Sequence, residues 1–182
     1  TDRNRVCTLL NAIKYVDVII PRGSEALIQR VRRESMVPTI ETGAGVCHTY
    51  VAKTADIAMA VSVVVNAKVS RPSVCNSLDT IILQESIAQE FLTKSFHELV
   101  EYKVKIYADA ISFNVLKDLN YPYLQKAEDS DFGREFLDFA CSIRVVQNLH
   151  EALAHIDNYS SMHSEAIMSA DETEANLFLA SV

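Results

Sequence analysis

The chain has 182 residues, 49% of them hydrophobic and 23% charged, proportions of an ordinary globular protein that give no compositional case for disorder. A net charge of −7 excludes a general nucleic-acid binder, whose affinity depends on a basic surface, and the single basic run Arg30, Arg32, Arg33 reads as a solvated helix face. There is no secretory signal and no apolar run near the length of a membrane span, and the four scattered cysteines (Cys7, Cys47, Cys75, Cys141) form no CxxC pair. That spacing offers neither a zinc site nor a disulfide framework, so no metal is expected, and it fits a reducing cytoplasm.

Asn4 to Val16 carries apolar residues at a helical spacing, and Val16–Ile20 is a short β-branched run. Pro21-Arg22-Gly23-Ser24 follows, then a helix over 25–33 with Ser24 as its natural N-cap. Strand, Gly-Ser turn, helix is a geometry in which free N–H groups face a phosphate, although a plain cap explains these residues as well. Val37–Ile40 reads as the next strand. It delivers Glu41 and the glycines of Gly43-Ala44-Gly45 to a strand's C-terminal end, where open α/β sheets bind ligands, so Glu41 is a candidate base or cofactor contact. Val46–Val51 is a further strand, whose His48 is expected to be structural or to line a pocket. Thr54 or Asp56 caps the helix Ile57–Val69.

Pro72 stops that helix, because its ring removes a donor and disfavours helical geometry at the residue before it. The stretch Arg71-Pro72-Ser73-Val74-Cys75-Asn76-Ser77 then presents a cysteine between two packed elements. A thiolate is the nucleophile of thioester chemistry, and a neighbouring guanidinium favours it. Taken alone, the stretch favours the reading of Cys75 as one more small buried hydrophobe, which is what most free cysteines are. Beyond it the pattern predicts a strand over 78–83, a helix over 86–102, a strand over 103–107, a helix over 109–119 and a loop over 120–133 with the acidic cluster Glu128, Asp129, Asp131. A strand over 139–146, a helix over 149–159, a strand over 164–168 and a helix over 172–180 complete the chain. Alternation of this kind means an α/β fold with a largely parallel sheet.

Several stretches, in order, resemble the γ-glutamyl phosphate reductase (glutamate-5-semialdehyde dehydrogenase) family of the aldehyde dehydrogenase superfamily: Val16 to Ser24, Cys47-His48-Thr49-Tyr50-Val51, Val65-Asn66-Ala67-Lys68, Arg71 to Asn76, Glu135-Phe136-Leu137-Asp138 and His163-Ser164-Glu165-Ala166-Ile167. The resemblance implies a three-layer αβα, aldehyde-dehydrogenase-like catalytic domain. It also implies NADPH-dependent reduction of L-glutamyl 5-phosphate to glutamate 5-semialdehyde in proline biosynthesis. Cys75 would be the nucleophile that forms a thioacyl enzyme. Gly23 and Ser24 match the superfamily's turn near the cofactor diphosphate, and Glu135 matches its ribose-contacting glutamate. Glu41 has the place of the general-base glutamate, a role that reduction to an aldehyde does not need. Arg71, Asn76 and His163 are the candidate substrate contacts.

By the same resemblance, residues 1–41 form the last strand–helix–strand part of a cofactor-binding domain and residues 42–182 a catalytic domain. The rest of the cofactor domain, with an Asn-bearing oxyanion loop, would lie upstream, and a Gly-rich acidic segment beyond Val182. The chain begins without Met inside one helical pattern and stops inside another, which reads as a piece of a longer protein that turns over little by itself. Exposed strand edges would favour self-association, and glutamate 5-kinase is the expected pathway partner or fused domain. Another thioester-forming aldehyde dehydrogenase, or a non-catalytic domain with Cys75 in its core, are the alternatives.

Overall fold

The computed structural model describes residues 5–23, 25–41 and 45–182, and the chain divides into two compact units, Thr1–Ala44 and Gly45–Val182. In the first unit, helices α1 (Arg5–Leu10) and α2 (Glu25–Glu34) bury Leu10, Ile28 and Val31 together with Pro21 and Val37. Helix α1 stops well short of the expected Val16, because the Leu10 carbonyl accepts the N–H groups of Met36 and Val37 and turns occupy the intervening residues. The two strands expected over 16–20 and 37–40 reduce to a single parallel bridge, Ile19 with Thr39. Pro38 has no N–H to give a ladder, and no further strand among the described residues extends the pair.

The second unit is a six-stranded, all-parallel sheet in the order β4-β3-β5-β2-β1-β6, with β1 His48–Val51, β2 Thr80–Gln84, β3 Lys105–Ala108, β4 Leu124–Lys126, β5 Ala140–Val146 and β6 Glu165–Met168. Helices α3 (Ile57–Val69), α4 (Glu85–Glu101) and α5 (Ala110–Asp118) cover one face. Helices α7 (Leu149–Tyr159) and α8 (Glu172–Leu179) cover the other. The period-2 pleat sorts the side chains: Val51, Ile81, Leu83, Ile143 and Val145 enter the first core, and Tyr50, Ile82 and Val146 the second. Strands buried on both faces are continuously apolar, which is why Ile81-Ile82-Leu83 shows no alternation in sequence.

Asp56 caps α3 by accepting the Met59 N–H, as the sequence suggests. The stretch 120–133, expected to be a loop, contains β4 and a four-residue helix α6 (Asp129–Phe132). Its acidic cluster is a reciprocal capping box between Glu128 and Asp131, so the charges serve a helix start rather than a solvated loop. No helix among the described residues is long and apolar enough to cross a membrane.

Candidate active site

Because the strands are all parallel and β5, β2, β1 and β6 are consecutive neighbours, the segments that lead into them emerge along one edge of the sheet. Those segments are Glu135–Phe139, Cys75–Asp79, Gly45–Cys47 and Ser160–Ser164. They gather Cys75, Asn76, Glu135 and His163 from distant parts of the sequence at the N-terminal ends of the strands. Open α/β sheets ordinarily bind ligands at the opposite edge, so the sequence rule applied to Glu41 does not describe this site.

Helix α3 ends at Val69 and two tight turns follow, closed by Val74 N–H to the Arg71 carbonyl and Ser77 N–H to the Val74 carbonyl (3.3 and 3.0 Å). Leu78 N–H donates to the Ala67 carbonyl at 3.2 Å and fastens the loop's exit to the helix that precedes it. Cys75 stands at the crest and is exposed, which removes the reading in which it is a core residue. Within this unit the N–H groups of Cys75 and Asn76 have no acceptor among the described residues. Arg71 and Asn76, both exposed, line one hollow of 370 Å³ with Ser70 and Ser77.

The carbonyl of Cys75 is braced from behind. A Cβ on Gly45 would lie 2.0 Å from that oxygen, so only glycine fits there. The Cys47 thiol donates to the same oxygen (3.4 Å). Burial, with the Asp79 carboxylate next, pushes the Cys47 thiol up to about 12, which keeps it protonated and able to donate. Gly45 N–H donates to Oε1 of Glu135 at 3.0 Å, which brings the half-buried Glu135 to the thiol's side of the sheet. His163 Nδ1 lies 3.8 Å from the Cys47 sulfur and 3.0 Å from the Ser164 hydroxyl. It lines a 410 Å³ hollow with Ser160, Met162 and Glu165. A carboxylate with one oxygen fixed by a backbone N–H and the residue still half open suits a sugar hydroxyl, so Glu135 fits a nicotinamide ribose.

Sequence reasoning missed two further residues beneath this edge, Asp79 and Lys68. Asp79 is 2% exposed; its Oδ1 accepts the Phe136 N–H (3.0 Å) and its Oδ2 the Cys47 N–H (3.4 Å). Lys68 is fully buried; its Nζ donates to the Ala140 carbonyl (2.9 Å) and lies 3.9 Å from Asp79 Oδ1. Burial lowers the lysine's pKa and raises the aspartate's. Lys68 occurs at the end of an apolar helical run, where a snorkelling surface residue is the ordinary reading; only the full burial of the charge marks it out.

His48 is structural: its side chain is buried, Nδ1 lies 3.1 Å from Glu165 Oε2, and its ring meets the edge of the His155 ring. Gly23, Ser24 and Glu41 belong to the first unit. Gly23 has φ +147°, in the region that favours glycine, and Ser24 lies outside the described residues. Glu41 Oε1 pairs with Arg32 Nε at 3.3 Å, and its buried Oε2 has no hydrogen-bond partner among the described residues.

No protein-family model matches the chain. It is 44% identical over 178 residues, 98% of its length, to the γ-glutamyl phosphate reductase of Listeria welshimeri. It is 43% identical over its whole length to that of Clostridium acetobutylicum. The crystal structure of the γ-glutamyl phosphate reductase of Thermotoga maritima superposes on the whole chain with a TM-score of 0.92 at 36% identity. An NADP-dependent glyceraldehyde-3-phosphate dehydrogenase from Bacillus halodurans, complexed with NADP, shares the fold at 15% identity with a TM-score of 0.77. The chain spans about 42% of the length of the curated relatives it matches. With an αβα sandwich of aldehyde-dehydrogenase-like fold and a braced, exposed cysteine in the matching segment, the chain belongs to the γ-glutamyl phosphate reductase family.

Proposed function

We propose that this chain carries the thiol-bearing catalytic domain of an enzyme that reduces L-glutamyl 5-phosphate to glutamate 5-semialdehyde in proline biosynthesis, with NADPH as reductant. One observation carries the reading: Cys75 is exposed at the crest of a turn whose carbonyl is locked by Gly45 and Cys47, while Cys47 and Cys141 are buried. On this reading residues 1–41 complete the cofactor-binding domain and residues 42–182 form the catalytic one.

The Cys75 thiolate attacks the acyl carbon, the bond from that carbon to the phosphate oxygen breaks, and phosphate leaves with the electron pair. The N–H groups of Cys75 and Asn76 receive the negative charge that develops on the acyl oxygen. Arg71 neutralises the departing phosphate or holds the substrate's carboxylate, and Asn76 and His163 orient the glutamyl chain. NADPH, when bound, supplies the hydride that reduces the thioester carbon. Glu135 would hold the nicotinamide ribose, and by the family resemblance Gly23 and Ser24 would serve the diphosphate and Glu41 the cofactor, with no role as a hydrolytic base. Cys75 then leaves the reduced carbon as a thiolate and is ready for the next acyl phosphate. A cytoplasmic homo-oligomer supplied by glutamate 5-kinase is the setting that suits a substrate as labile as an acyl phosphate.

The test is phosphate-dependent reduction of NADP⁺ by glutamate semialdehyde in the full-length protein, with and without Cys75→Ala. Activity in the parent that disappears in a folded variant supports the reading. Activity surviving in the variant makes Cys75 structural, and phosphate-independent activity points to a different thioester-forming aldehyde dehydrogenase.

A further inference from the structure

We propose that the buried Asp79–Lys68 pair is a positioning device: the Asp79 carboxylate locks the Gly45–Cys47 segment to the Glu135–Phe136 segment and thereby sets where Glu135 stands relative to Cys75. The inference rests on the reductase reading, in which Glu135 faces the cofactor. Both Asp79 and Lys68 are buried from solvent. A buried ion pair is rarely the most stable filling for its space, since apolar residues of similar volume often serve as well or better. Its hydrogen bonds show what it does instead.

Oδ2 of Asp79 holds the Cys47 N–H and Oδ1 holds the Phe136 N–H. Two residues before Cys47, Gly45 N–H donates to the carboxylate of Glu135, the residue next to Phe136. Three hydrogen bonds close a ring: Asp79 to Cys47, along the chain to Gly45, across to Glu135, and through Phe136 back to Asp79. Lys68 secures the ring's outer side through the Ala140 carbonyl, and the main chain of Asp79 fixes its place by bonding Cys47 and Ser142. Such a ring needs an acceptor at both ends of one side chain. A carboxylate provides that; a carboxamide of the same shape has one oxygen and one NH₂, and so leaves one of the two backbone N–H groups facing a donor.

The decisive comparison is Asp79→Asn in the full-length protein, read by NADPH fluorescence titration and by the rate at which iodoacetamide captures Cys75. The dissociation constant for NADPH rises about tenfold, as expected for a misplaced contact, while the capture of the exposed thiol changes less than about threefold, because Gly45 and the Cys47 thiol still brace the Cys75 carbonyl. Lys68→Met added to Asp79→Asn removes the ammonium left without a counter-charge, so the double variant regains thermal stability but not NADPH affinity. Affinity that is unchanged in Asp79→Asn, or that returns in the stable double variant, overturns the positioning role. Absence of NADPH binding in the unaltered protein defeats the reductase reading and this proposal together, whereas normal binding there with no effect of Asp79→Asn defeats the proposal alone.

Discussion

A methyl group on residue 45 would stand 2.0 Å from the carbonyl oxygen of Cys75 and 2.9 Å from its carbonyl carbon. Both are backbone atoms, so no rotamer change relieves the clash; either the thiol loop or the entry to β1 must shift. Gly45→Ala is therefore expected to cost more than about 2 kcal/mol in urea denaturation and to change the alkylation rate of Cys75. An alanine variant with parent stability and parent thiol reactivity would show that the loop has room. The cysteines differ by burial in the same way. Burial pushes both Cys47 and Cys141 up to about 12, so below roughly pH 10 neither presents a thiolate. Cys7 is exposed as well, and Arg30 donates to its sulfur at 3.0 Å, so it competes for the reagent. In a Cys7→Ser background, a short iodoacetamide pulse is expected to label Cys75 alone, with mass spectrometry of the peptides as the readout. The turn that carries Cys75 is legible in the proline that ends its helix, and the thiol itself only through the family resemblance; Lys68 and Asp79 are not legible, because their significance is burial, which residue type does not carry.

At the scale of elements, legibility follows the length of the periodic run. The ranges read for α3 and α7 coincide with the structure, because α3 is a long apolar run that ends just before Pro72 and α7 is an amphipathic run capped by Asn148. Val16–Ile20 and Val37–Ile40 have strand-like composition, yet a strand is made by its neighbours, and in the first unit they hold only one bridge. Strand β4 and helix α6 were invisible for the opposite reason: three and four residues are too few to show a period. Asp109 illustrates how one side chain joins elements. Its Oδ1 caps α5 through Ser112 N–H at 2.9 Å, and its Oδ2 accepts the N–H of Val145 in β5 at 2.7 Å. Asp56 makes only the cap, at an exposed position. Asp56→Ala should cost about 1 kcal/mol, the ordinary worth of a cap. Asp109→Ala should cost about 1–3 kcal/mol more, because it also strands a strand N–H. Equal losses in the two variants, measured by urea midpoint, would mean that the Val145 contact carries no weight.

For the whole molecule, the sheet ends in two strands with one neighbour each, β4 and β6, and the smaller unit exposes Ile13, Ile20 and Ile40. Open ladder groups and exposed branched residues favour association, whether with further chain or with another copy. Between these margins, acid sensitivity has a specific internal source. His155 on α7 is 7% exposed, with Phe132 and Tyr159 against its ring, His48 at its edge and Arg144 and Asp129 near by. Burial, then the His48 and Arg144 charges, pull its pKa down to about 3 from the usual 6.5. Between those two values the unfolded chain binds a proton that the folded chain refuses, so the unfolded state holds more protons and stability rises with pH. Acidification through that window therefore destabilises the protein, by up to about 1.4 kcal/mol per pH unit from this group. Replacing the imidazole with an apolar ring abolishes this pH dependence. His155→Phe should consequently gain on the parent as the pH falls from about 6.5 towards 4. Denaturant midpoints at several pH values measure the gap between the two proteins. A gap that stays constant with pH would mean that His155 takes up its proton inside the fold, against the desolvation its position imposes.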